Sequence, residues 1–97
     1  MAQRFDFDDF IDRMANLDSG LEIIKRAESE CEWLLRNKTK DRENFRQAER
    51  VKAFLWFMRT GTKPGSATPD EFASYKRVVQ SLVDKGAADP DWLKLFG

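Results

Sequence analysis

DRENFRQAERVKAFLWFMRT, residues 41–60, is the stretch that decides the fold. Asp41 supplies an N-cap oxygen. Phe45, Ala48, Val51 and Leu55 then recur at helical spacing and predict an inward face. Arg42, Arg46 and Arg50, at i, i+4 and i+8, predict an outward one. The block Phe54-Leu55-Trp56-Phe57-Met58 abandons this polarity, because Phe54 and Phe57 fall on the flank and face the arginines held earlier. A helix that is apolar all round is buried by its neighbours, so this end is expected to be the hub of the fold. The competing expectation is an exposed patch at Phe54 and Phe57 through which two copies form a homodimer.

Upstream, Asp6 is the expected cap of a helix from Phe7 to about Leu17, with Phe5 and Phe10 in the positions of a hydrophobic staple. Asp18-Ser19-Gly20 breaks it. Ser19, with Glu22 three residues on, starts a second helix that runs to about Asn37. Its expected core side carries Leu21, Ile24, Ala27, Cys31, Leu34 and Leu35. Trp33 projects close to opposite Ile24, among Arg26, Ser29, Glu30, Arg36 and Asn37. A polar connection, Asn37-Lys38-Thr39-Lys40, leads into the central stretch.

Downstream, Gly61 is the natural stop, and the turn-rich segment 61–66 is a loop. Thr68 as cap, Pro69 at the first helical position and Glu71 at the third make the strongest helix start in the chain. Phe72, Tyr75, Val78, Val79, Leu82 and Val83 follow as an amphipathic stripe that ends near Lys85-Gly86. Asp89-Pro90 opens a last short helix with Trp92, Leu93, Leu95 and Phe96 as anchors. Too short to be stable alone, it is expected to dock on the hydrophobic end of the 41–60 helix. The pattern predicts an all-α protein, a compact bundle of four helices plus a short C-terminal helix. Its 97 residues form one domain, because a chain this long builds a single core.

Composition narrows the function. With no histidine and a single cysteine, the chain lacks the commonest general base near neutral pH and the commonest ligands of structural zinc. Gly61, Gly65 and Gly86 have no phosphate-loop spacing. The dense acids Asp6, Asp8, Asp9 and Asp12 read as compensation of a helix dipole. No catalytic residue, metal or cofactor is therefore expected. The lone Cys31 cannot close an internal disulfide, which suits a reducing, cytoplasmic setting. No apolar run suits a membrane, and residues 1–6 carry no secretion signal.

Net charge is zero but unevenly placed. Residues 1–32 hold 4 basic and 9 acidic side chains, residues 33–63 hold 9 and 3, and residues 64–97 hold 4 and 5. Such a middle either binds anions or is neutralised by the acidic start. Two surfaces stand out. One is Trp33 with Arg26 and Arg36, since tryptophan beside arginine is a frequent binding hot spot. It marks a protein partner unless the Phe5 region or the last helix covers it. The other is Arg42, Arg46 and Arg50, supported by Lys38 and Lys40 and also by Arg36 and Lys52, where arginines one turn apart match the spacing of phosphates in nucleic acid. Its bland counterpart is a solvated face held by pairs such as Glu43 with Arg46, or by the acidic first helix. The first surface makes the chain a non-enzymatic interaction module of adaptor or inhibitor type. The second makes it a nucleic-acid-associated protein.

Overall fold

Asp6, Ser19, Asp41, Thr68 and Asp89 each accept a hydrogen bond from a backbone N–H in the first turn of the helix that follows. Each such cap stabilises its helix by about 1 kcal/mol. A computed structural model describes residues 5–37, 39 and 41–97. It contains α1 (Phe7–Ala15), α2 (Gly20–Arg36), α3 (Arg42–Thr60), α4 (Pro69–Asp84) and a C-terminal 3-10 helix (Pro90–Phe96). There is no strand among the described residues. The fold is all-α, as the capping and periodicity predict.

The caps differ in how they are closed. At Thr68 the box is reciprocal, because the hydroxyl accepts from the Glu71 N–H and the Glu71 carboxylate accepts from the Thr68 N–H. At Ser19 the hydroxyl accepts from Glu22, but the Glu22 carboxylate reaches one residue further back, to the N–H of Asp18. Gly61, at φ 67°, ends α3 in the left-handed conformation that favours glycine. Gly86, at φ 75°, ends α4, where the N–H of Ala87 donates to the Leu82 carbonyl and that of Gly86 to the Val83 carbonyl.

Buried residues from all four helices form one core. Phe54 and Phe57 lie in it with no exposed surface. That corrects the expectation of a homodimer patch at these two residues, and it follows from what surrounds them. The Phe54 ring meets Phe10 of α1 at 5.5 Å and Tyr75 of α4 at 5.4 Å. Phe57 meets Phe72 and Tyr75 of α4, then Trp92 and Phe96 of the 3-10 helix, at 5.2 to 5.9 Å. The short C-terminal helix thus docks on the apolar end of α3, as expected. Met58 and Tyr75 are core residues and Cys31 is buried.

Other inward assignments need correction. Leu21 is exposed and Ile23 takes its place in the core, while Ile24 and Leu35 are only partly buried. Phe45 is likewise half exposed, and Asn44 is buried instead. The α2–α3 connection explains the second swap, because the Asn44 amide donates to the Asn37 carbonyl at 3.0 Å, satisfying an end carbonyl of α2. Polar locks also join α1 to α4. The Ser81 hydroxyl and the Lys85 ammonium both donate to the Ala15 carbonyl, and Lys85 donates to that of Leu17 as well. They hold the C-terminal end of α1, where a cation also suits the helix dipole.

Candidate functional site

The outer side of α2 follows from helix geometry. Ile23, Ala27, Cys31 and Leu34 are buried, so residue 33, which points to the far side, emerges from the bundle. Trp33 is 46% exposed and lies outside the buried core. Phe5 does not cover it, because Phe5 packs on Phe10. The C-terminal helix does not either, because its rings pack on Phe57 and Phe72. At helical spacing Trp33 shares its side with Arg26, seven residues before, and Arg36, three after. Both arginines are exposed and make no ion pair among the described residues. One edge of this face is fixed. Arg13 of α1 grips the Glu30 carboxylate with both Nη atoms, at 2.6 and 2.8 Å. That bond, more than the opposing cost of burial, raises the Arg13 pKa, with Asp9 contributing a second bond.

The arginine row of α3 is not a uniform basic face. Arg42 is exposed and makes no ion pair among the described residues. Arg46 is exposed and pairs with Glu43 at 3.3 Å, as the bland expectation has it. Arg50 is committed inside the fold. Its Nε donates to Glu71 of α4 at 2.7 Å, its Nη1 to Gln47 at 3.1 Å, and its guanidinium lies 4.1 Å from the Phe7 ring centroid. Burial raises the Glu71 pKa, but hydrogen bonds from Thr68 and Arg50 outweigh it, so the carboxyl lies below its ordinary value. The groove of about 420 Å³ beside Arg46 and Arg50 is also lined by Glu49 and Glu71. Lys38 and Lys40, the expected supports of the row, lie outside the described residues.

Charge balance is reached differently from the simple expectation that α1 neutralises α3. Asp9 pairs with Arg13 on its own helix, and Asp12 pairs with Arg77 of α4. The basic middle is answered by Glu28 of α2, which pairs with Arg59, and by Glu71 of α4. Asp6, Asp9 and Asp12 are thus a cap and two ion-pair partners. Among the described residues no group of three acidic or cysteine side chains is placed to hold a metal ion, and no helix is long and apolar enough to cross a membrane. Sequence reasoning found Trp33 but missed Phe45, which it placed in the core. Its only signal is the neighbouring Asn44, whose amide suits a helix-connecting turn. No protein-family model matches the chain, and no curated protein or solved structure matches it.

Proposed function

We propose that the chain is a non-enzymatic protein-interaction module, of adaptor or inhibitor type, that binds a partner through the outer side of α2. Trp33 is the anchor and Arg26 and Arg36 flank it. The observation that supports this reading is the position of the Trp33 indole, half exposed, outside the buried core and beside two arginines that make no ion pair among the described residues. Leaving so large an apolar ring in water forgoes much of the stabilisation that burial would give. A partner surface with an apolar pocket rimmed by carboxylates complements the three side chains. A cytoplasmic location belongs to the same reading and rests on the single, buried Cys31. The test is capture from native extract by the wild-type chain, by Trp33→Ala and by the double variant Arg26→Glu/Arg36→Glu. A partner retained by the wild type and lost by both variants supports the site. Equal retention by all three removes it.

The competing reading is nucleic-acid contact through Arg42 and Arg46, which are exposed on one side of α3, with Arg50 already engaged by Glu71. Anisotropy titration with labelled nucleic acid at two salt concentrations decides it. Binding that weakens with salt and with Arg46→Glu favours it, and no binding at low salt ends it.

A further inference from the structure

α3 carries a second exposed stripe that reads the same from either end. Phe45, Glu49, Lys52 and Trp56 are separated by four, three and four residues, so on a helix turning 100° per residue they share an arc of about 60°. All four side chains are about half exposed. Phe45 and Trp56 lie outside the buried core, and Glu49 and Lys52 lie between them, 3.3 Å apart. A two-fold axis crossing α3 between Arg50 and Val51 takes position 45 to 56 and position 49 to 52.

From this symmetry we infer that the stripe is a self-association surface and that its occupant is the same stripe of a second copy, packed antiparallel. The inference concerns a different face from the Trp33 site and does not rest on it. In the antiparallel pair each Phe45 ring lies against Trp56 of the other copy, about 16 Å along the helix from its own Trp56 at 1.5 Å per residue. Each Glu49 faces a Lys52. The four charges form an alternating ring between two aromatic pairs, an isologous contact in which each of these four stripe positions meets its complement. A parallel arrangement would set Glu49 on Glu49 and Lys52 on Lys52. The outer edge of α2 borders the stripe, because Arg59, on the same side of α3, bonds Glu28. One helix from each copy buries an area at or below about 1,200 Å², the low end for specific interfaces, so the association is weak, with a dissociation constant on the order of 10 μM or higher.

Sedimentation velocity over a concentration series spanning roughly 1 to 500 μM, set by that affinity, tests the inference. The wild type is expected to shift from monomer to dimer. Trp56→Ala should weaken dimerisation by about tenfold or more. Glu49→Lys places four lysines in the ring and Lys52→Glu places four glutamates there, so each alone should stay monomeric. Mixed together they should form a heterodimer, because every facing pair is then opposite in sign. Trp33→Ala should associate like the wild type. Circular dichroism checks that each variant folds, which surface positions allow, and the charge variants keep the test decisive if Trp56→Ala does not fold. A wild type that stays monomeric throughout overturns the inference. So does self-association that neither charge variant weakens, or a mixture that stays monomeric.

Discussion

Along the α2–α3 seam the small side chains of Cys31 and Ala48 let two helices approach until the thiol sulfur is 3.9 Å from the Ala48 carbonyl oxygen. On the other side of α3, the rings of Phe54, Phe57, Phe72 and Tyr75 fill the space to α4, and these helices meet through side chains rather than by close backbone approach. The difference lies in where polar atoms end up. The seam buries the Asn44 amide but satisfies it, since it donates to the Asn37 carbonyl. The aromatic layer encloses the Tyr75 hydroxyl, which has no hydrogen-bond partner among the described residues. Burial, with Glu71 nearby, pushes the Tyr75 pKa up to about 12. A seam of small residues tolerates little added volume, whereas a layer of rings tolerates loss of a polar atom but not of a ring.

Four variants test this contrast. Phe57→Ala removes the ring that bridges α3, α4 and the 3-10 helix, and is expected to cost about 3 to 5 kcal/mol, measured by urea unfolding. A loss below about 1 kcal/mol would mean the layer collapses freely and is no rigid spacer. Ala48→Leu forces volume into the seam and is expected to cost about 1 to 3 kcal/mol. No loss would show that α2 and α3 separate without difficulty.

Arg50→Ala is expected to cost about 1 kcal/mol near pH 7, a surface-pair magnitude because Arg50 is itself more than a third exposed. Its pH dependence gives a sharper reading. The Glu71 carboxyl is depressed in the folded chain, so the stability it contributes is present above its unfolded pKa and is lost as pH falls through the folded value. The gap between wild type and Arg50→Ala should therefore narrow below about pH 4. A gap independent of pH would assign the loss to the contacts with Phe7 and Gln47.

Tyr75→Phe has the smallest expected effect. It deletes a buried hydroxyl that bonds no group among the described residues, so stability should be unchanged or slightly raised. A loss above about 1 kcal/mol would reveal a partner for that hydroxyl. Tyr75 is the only tyrosine, so its absorbance titration is unambiguous. The folded chain should hold its proton well above pH 10, and phenolate should appear only near pH 12 or on alkaline unfolding. The unfolded chain ionises first, so stability falls as pH rises between those values.

The caps at Asp6, Ser19, Asp41, Thr68 and Asp89 were legible because capping is local: the side-chain oxygen and the N–H it serves are two or three residues apart. The exit of Trp33 was legible too, since it lies opposite a clear apolar stripe. Phe45 and Leu21 were not. Each belongs to an apolar set at helical spacing, but a helix's periodicity does not say how wide its buried arc is or which edge a neighbour covers. Nor does it show that Arg50 is held by Glu71, 21 residues away in the chain.

Sequence alone determined the five helices and their boundaries to within about two residues. These depend on backbone capping, which is local. Tertiary structure decided what the rest of α3 presents. The packing of α2 and α4 around α3 buries Phe54 and Phe57 while leaving Phe45 half exposed, and the bond to Glu71 of α4 takes Arg50 out of the arginine row. Both outcomes depend on contacts between residues far apart in the chain, which no local period encodes.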